Sequence, residues 1–277
     1  MSADAFDQYT AVDAVNWSKL KHMQRSPLQF IHACNNPDTS DSAARRIGRA
    51  VHVAVLQPRL WDAQYVTFYG SRRAGAEWLA FERENEGRTI LREDEARQVG
   101  AMAAALQIHA ASRRLLDSAT HTERPIVWTD PRTGITCKGL LDMSREPSGD
   151  AGWIGDLKTG PALSTFERWV IREGYHLQLG FYRRGWWELY REEAPCFIPG
   201  VEAKAPHDVG VFELDRGLLA IADREIDALL IRLAECRASG VWPGAYPETC
   251  TVHAPTWMIS DDISVPGGDI EEVDYGL

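Results

Sequence analysis

The stretch from Pro125 to Thr159 constrains the fold of this 277-residue chain more than any other. Pro125 to Thr129 reads as a strand, Asp130-Pro131-Arg132-Thr133-Gly134 as a turn, and Ile135 to Met143 as a second strand. The polar segment Ser144 to Gly152 turns the chain again, and Trp153 to Thr159 reads as a third strand. Three consecutive strands set among helical segments predict an antiparallel meander flanked by helical layers, a mixed α/β (α+β) protein.

The helical segments follow from start and stop signals. A short helix is expected over Trp17 to Phe30, broken at Pro27, and another from Ala43 to Leu56, ended by Pro58. The stripe Ile47, Val51, Ala54 and Val55 on the second helix is apolar; Arg45, Gly48, Arg49 and His52 share a neighbouring face. Residues 67–90 read as irregular, with an exposed loop over 71–75, and a long helix is expected from Glu93 to Asp117. Ser164-Thr165-Phe166-Glu167 has the capping-box pattern and opens a helix to Arg172. Gly174 interrupts it, and a second helix runs from Tyr175 to Arg191. Strands at Cys196 to Ala203 and Asp208 to Leu214 precede a helix from Arg216 to Ala238, closed by Trp242-Pro243-Gly244. No composition shift divides the chain: a flexible segment 1–15, a single domain 16–260 and an acidic, disordered tail 261–277 are expected.

Composition removes several alternatives. The 44% hydrophobic and 25% charged fractions are those of an ordinary soluble globule. No apolar run approaches the ~18–20 residues of a membrane span, and the polar N-terminus has no signal-peptide core, so a cytoplasmic location is expected. The five cysteines (Cys34, Cys137, Cys196, Cys236, Cys250) are odd in number, scattered and without a C-x-x-C pair, which predicts reduced thiols. The net charge of −10 excludes binding to nucleic acid by bulk charge alone. Its distribution is uneven, however: six of the 40 acids fall in 261–277, where no base occurs, and six arginines between Arg45 and Arg73 face only Asp62. G-x-S-x-G, H-E-x-x-H and the phosphate-binding G-x-x-x-x-G-K-[ST] are all missing from the sequence.

Chemistry concentrates on the meander. Alternation along a strand points Asp156 and Lys158 the same way, and a hairpin between the second and third strands can set Asp142 beside Asp156. Two carboxylates converging near a lysine repel unless something offsets them. A hard divalent cation does so, with the Leu157 carbonyl as a further oxygen. The same spacing also suits a solvated Asp156–Lys158 salt bridge, against which the apolar Leu140, Leu141, Trp153 and Ile154 argue.

Four segments carry a resemblance in order along the chain: Gly48-Arg49-Ala50-Val51-His52, Gly139-Leu140-Leu141-Asp142, Asp156-Leu157-Lys158-Thr159, and Tyr175-His176-Leu177-Gln178 with Tyr182. Together they resemble the motifs of the PD-(D/E)XK nuclease superfamily. Trp128 to Ile135 and Trp153-Ile154 narrow the likeness to its RecE (exonuclease VIII) branch, akin to lambda exonuclease, over Trp17 to Trp242. Leu141 stands where the superfamily's name has proline. The resemblance implies a restriction-endonuclease-like core with a central mixed sheet flanked by helices. It implies that Asp142, Asp156, His52, Glu123 and the Leu157 carbonyl hold one or two Mg²⁺ ions, with Mn²⁺ as substitute. Lys158 would orient the attacking water, and Gln178 and Tyr182 would position that water or the phosphate. The arginine-rich segment (Arg45, Arg49, Arg72, Arg73) would contact DNA phosphates.

The same resemblance implies that the chain would degrade one strand of linear duplex DNA 5′→3′ as a homo-oligomeric ring, tetrameric or trimeric. The 3′ tails it leaves would feed a single-strand annealing protein. Two other readings stay open. A Cas4-like iron–sulfur nuclease needs four clustered cysteines, for which Cys34, Cys236 and Cys250 fall short. A non-catalytic DNA-binding adaptor on the same scaffold has against it the presence of Asp142, Asp156 and Lys158.

Overall fold

Polar residues set the first helix starts. In the computed structural model, which describes residues 8–38, 40–70, 72–149 and 151–254, the Asn16 side chain accepts from the Lys19 amide and opens α1 (Trp17–Leu20). A 3₁₀ turn (Lys21–Gln24) follows, and Ser26 opens α2 (Pro27–Asn35) by accepting from the Gln29 amide. The helix expected over 17–30 with a break at Pro27 is two helices, the second starting at Pro27 and running past Phe30 to Asn35. Ser26-Pro27 acts as a start signal, because proline at the first helical position lacks only an N–H that would go unpaired anyway. Ser42 caps α3 (Ala43–Leu56), with the bounds read from the sequence.

Residues 65–92, expected to be irregular over most of their length, hold β1 (Tyr65–Phe68) after α4 (Trp61–Gln64), then α5 (Ala76–Glu84) and β2 (Thr89–Arg92). β1 and β2 pair in parallel. Strands of four residues are too short to show alternation; Phe68 packs on Trp78 and Phe81 of α5, and buried Leu91 joins the core with Val51 and Val99. The helix expected over 93–117 is split at His109 into α6 (Glu93–Ile108) and α7 (Ala110–Ser118), the His109 Nδ1 accepting from the Ser112 amide.

The meander forms as expected. β3 (His121–Thr129), β4 (Thr136–Arg145) and β5 (Trp153–Gly155) pair antiparallel, and β6 (Lys158–Gly160) follows. α8 (Phe166–Arg172) and α9 (Tyr175–Tyr190) cross to β7 (Cys196–Glu202), which runs parallel to both β5 and β6. β8 (Val209–Glu213) pairs antiparallel with β7, and α10 (Arg216–Ser239) completes a mixed six-stranded sheet with helices around it. Ile154 pairs with Cys196 and Lys158 with Gly200, the same offset, so β5 and β6 are one strand opened at Asp156 and Leu157. The capping box at 164–167 does not form: a 3₁₀ turn (Leu163–Thr165) leads into α8 without a side-chain cap, and the Leu163 amide donates to Glu202.

Alternation sorts the core. Ile154 packs with α1, α9 and α10 (Leu20, Phe181, Ile226), while Trp153 packs with α3 and α6 (Val51, Val99). The tyrosine ring of Tyr182 lies against Gly139, where a Cβ would stand 2.7 Å from it. Replacing Gly139 with alanine is accordingly expected to destabilise the protein by about 1–3 kcal/mol, read as a lowered Tm. Residues 8–15 lie against β4: Val15 bridges Cys137, and the Lys138 ammonium donates to the carbonyls of Tyr9, Thr10 and Val12. The tail 261–277 lies outside the described residues. The five cysteines are free, and among the described residues no helix is long and apolar enough to cross a membrane.

Candidate metal and catalytic centre

The sheet register lines up three carboxylates. Thr122 pairs with Met143 and Arg124 with Leu141, which sets Glu123 opposite Asp142. Met143 pairs with Gly155, which sets Asp156 opposite Asp142 on the other side. Glu123 adopts a φ of 50°, a left-handed conformation that a side chain takes only at a cost of order 1–3 kcal/mol.

α3 supplies the imidazole. A Cβ at Gly48 would stand 3.1 Å from Thr159 Oγ1, so a bare backbone lets the helix lie close to β6. His52 follows one turn later on the same helix face. Its Nδ1 is 3.4 Å from Asp142 Oδ2. One donor atom each from His52, Glu123 and Asp142 lies within 4.8 Å of the other two. Asp142 Oδ2 also accepts from the Leu157 amide at 2.8 Å, a bond that the opening between β5 and β6 makes available.

Asp156 is 1% exposed and belongs to a second, adjoining group. Its Oδ2 is ion-paired with the Lys158 ammonium, and its Oδ1 accepts from Gln178 Nε2 at 3.0 Å. The same Gln178 amide donates to the Tyr182 hydroxyl at 3.1 Å, and Gln178 Oε1 accepts from Lys158 Nζ at 3.4 Å. The ammonium also lies 4.6 Å from the centre of the Tyr175 ring. α9 presents Tyr175, Gln178 and Tyr182 at spacings of three and four, so one helix face delivers all three.

The charges do not balance. Burial, then repulsion from Asp142 and Asp156, pushes Glu123 up to about 8. Burial pushes Asp156 up to about 6 against the opposing pull of Lys158. Lys158 itself is raised, because the attraction of Asp156 and Asp142 outweighs its burial. Two carboxylate oxygens and an imidazole nitrogen within reach of one point are a donor set that fits a divalent cation, whose charge would relieve this strain.

Of the residues singled out in the sequence, His52, Glu123, Asp142, Asp156, Lys158, Gln178 and Tyr182 meet, and Leu157 joins them through its N–H. The arginines are placed differently. Arg45 pairs with Asp38, Arg49 with Asp41, and Arg73 with Glu95, which also takes Arg46, whereas Arg72 is exposed. Tyr175, quoted in the motif but given no role, proves to be a partner of Lys158; its position three residues before Gln178 was the available signal. Among the described residues the one group of three or more His, Cys, Asp or Glu donors that could hold a metal contains no cysteine.

Residues 16–254 match the model of a PDDEXK-like domain of unknown function, DUF3799. The chain belongs to this family. It is a PD-(D/E)XK superfamily member, as its motifs imply. The crystal structure of a "putative exonuclease" from Eubacterium rectale superposes with a TM-score of 0.62 at 13% identity, covering 95% of this chain and 99% of that one. At that identity the likeness speaks for the fold alone. A second structure, SSO0001, covers 65% of this chain and 85% of its own at 15% identity, with a TM-score of 0.29 that carries no argument. No curated protein matches the chain.

Proposed function

We propose that this PDDEXK-like protein is a Mg²⁺-dependent exodeoxyribonuclease that degrades one strand of linear duplex DNA 5′→3′ and leaves 3′ tails for strand annealing. The observation that carries the reading is the meeting of His52, Glu123 and Asp142 with the Asp156–Lys158–Gln178 group. His52, Glu123, Asp142 and Asp156 would hold one or two divalent ions, with the Leu157 carbonyl as a further ligand; such ions supply Lewis acidity to a phosphodiester and to the water attacking it. Lys158, fixed between Asp156 and the Tyr175 ring, would orient that water and meet the charge growing on the phosphate oxygens. Gln178, which already bridges Asp156 and Tyr182, would hold the phosphate or the water in line. The water oxygen bonds to phosphorus, the bond to the leaving oxygen breaks, and that oxygen takes up a proton. No covalent enzyme intermediate is needed.

Arg45, Arg49 and Arg72 are exposed and within the reading as phosphate contacts, Arg45 and Arg49 by exchanging Asp38 and Asp41 for DNA. A homo-oligomeric ring around the duplex, a cytoplasmic site of action and an annealing protein as partner complete the proposal. The test is linear duplex labelled at either end, incubated with Mg²⁺ or EDTA, with the wild type and Asp156→Ala compared. Metal-dependent release of label from the 5′ end by the wild type only is expected. Release from the 3′ end, or cutting of closed circles, would overturn the polarity or the need for an end.

A further inference from the structure

A cavity of about 640 Å³ opens beside the centre, where α3, β6, α8 and the end of β7 meet. Its walls are mostly apolar. Ala44 and Ile47 come from α3, Gly160 and Ala162 from β6 and the segment after it, Trp169 from α8, and Ala203 from just past β7. The residues that would hold the metal and the water leave it unused.

Two elements run from this cavity into the centre side by side. Ile47 precedes His52 by five residues, about 7.5 Å by helix rise, and Gly160 follows Lys158 by two, about 7 Å by strand rise. Between them lies the close contact of Gly48 with Thr159, and Thr159 itself lines the cavity. A third link is aromatic. Trp169 packs over Gly160, where a Cβ would collide with the ring, and it meets Tyr175 edge-on with ring centres 5.1 Å apart. Tyr175 in turn holds the Lys158 ammonium against its ring.

Polar groups around the cavity are few. Gln98 Nε2 donates to the Ala203 carbonyl at 2.7 Å, and Glu202 accepts from the Leu163 amide, so the protein itself engages both. Lys204 is exposed at the mouth and has no acidic partner among the described residues. Apolar walls, one tryptophan and a cation at the mouth suit a nucleobase whose sugar and phosphate stay outside.

Resting on the nuclease reading above, we propose that this cavity takes the base of the nucleotide next to the scissile phosphate, stacked on Trp169. A phosphate held between Asp142 and Lys158 is within one nucleotide's reach of the cavity, given the spacing along α3 and β6. A strand being trimmed leaves its duplex near the cut, and a base freed there loses its stacking partners. Trp169 replaces one of them. Stacking accepts every base, so the strand is held without regard to sequence.

The experiment measures binding of a short labelled duplex with unpaired end nucleotides, by fluorescence anisotropy in EDTA, which keeps the strands whole. An abasic nucleotide is moved one position at a time through the ends of each strand. In the wild type, one position in one strand should weaken binding by about fivefold to a hundredfold, the worth of a base stacked on an aromatic ring. Trp169→Ala should bind the intact DNA more weakly by a similar factor and show no further loss at that position; Trp169→Phe should keep part of it. Ala44→Trp narrows the cavity from the exposed first turn of α3, leaves Trp169 in place and should also abolish the loss; it decides the matter if Trp169→Ala melts early. A flat scan in the wild type overturns the proposal, as does a loss that persists unchanged in Trp169→Ala and Ala44→Trp. Cleavage by the wild type in Mg²⁺ is scored separately. Cleavage with a flat scan sinks the base site alone, whereas the position-dependent loss without cleavage sinks the nuclease reading and leaves the base site standing. Neither binding nor cleavage sinks both.

Discussion

Replacing Lys158 with methionine is expected to lower turnover on linear duplex DNA by about a thousandfold while duplex affinity changes little. The ammonium is held by the Asp156 carboxylate, the Gln178 amide oxygen and the face of Tyr175, which leaves it few ways to move and directs it at one place. Such a group is worth most where charge develops during the reaction and little to a ground-state duplex that meets the protein over a wide surface. Arginine is not expected to restore activity, because a planar fork cannot occupy the same point between an aromatic face and a buried carboxylate. A melting curve accompanies the assay, since removing one partner of a buried pair can itself cost about 3–5 kcal/mol. Asp156 lessens that cost by protonating, because its carboxyl already stands near 6 with the lysine in place. If the wild type binds duplex but turns over none, so that Lys158→Met changes nothing, the protein is a DNA-binding adaptor on a nuclease scaffold.

Much of the centre was legible in the sequence because its residues sit on elements with strong local signals. α3 and α10 have clear apolar stripes and stops, and the meander is marked by the turn residues Asp130-Pro131 and Gly134 between β3 and β4. The pairing of Asp142 with Asp156 followed from the length of one hairpin. What sequence could not supply were pairings set by tertiary distance. Arg46 and Arg73 meet at Glu95, which is 49 and 22 residues away along the chain, so their segment looked far more basic than it is. The left-handed Glu123 carries no local signal: the strand read from the sequence starts two residues later, at Pro125, and neither glycine nor asparagine marks the turn of the backbone before it. The capping box at 164–167 is a local pattern that does not form: a 3₁₀ turn occupies Leu163–Thr165 and α8 starts at Phe166 without a side-chain cap.

Glu123 gives the second large effect, on stability. Its carboxyl stands at about 8 in the folded protein, raised from an ordinary value of 4.5 by burial and by Asp142 and Asp156. Between those two values the folded chain holds a proton that the unfolded chain has released, so stability falls as pH rises from about 4.5 to about 8. The full penalty is present above that range and amounts to roughly 2–4 kcal/mol, while below it none remains. Glu123→Gln keeps the shape and removes the charge. In EDTA near pH 9 the variant is therefore expected to melt about 5 °C or more above the wild type, and the gap should close toward about pH 5. Divalent cations act on the same charge with the opposite sign: saturating Mg²⁺ should raise the wild-type Tm and do little for the variant, which has lost both the repulsion and a ligand. Melting curves for the two proteins that superimpose across the pH and metal series would mean that Glu123 neither feels Asp142 and Asp156 nor shares a cation with Asp142 and His52.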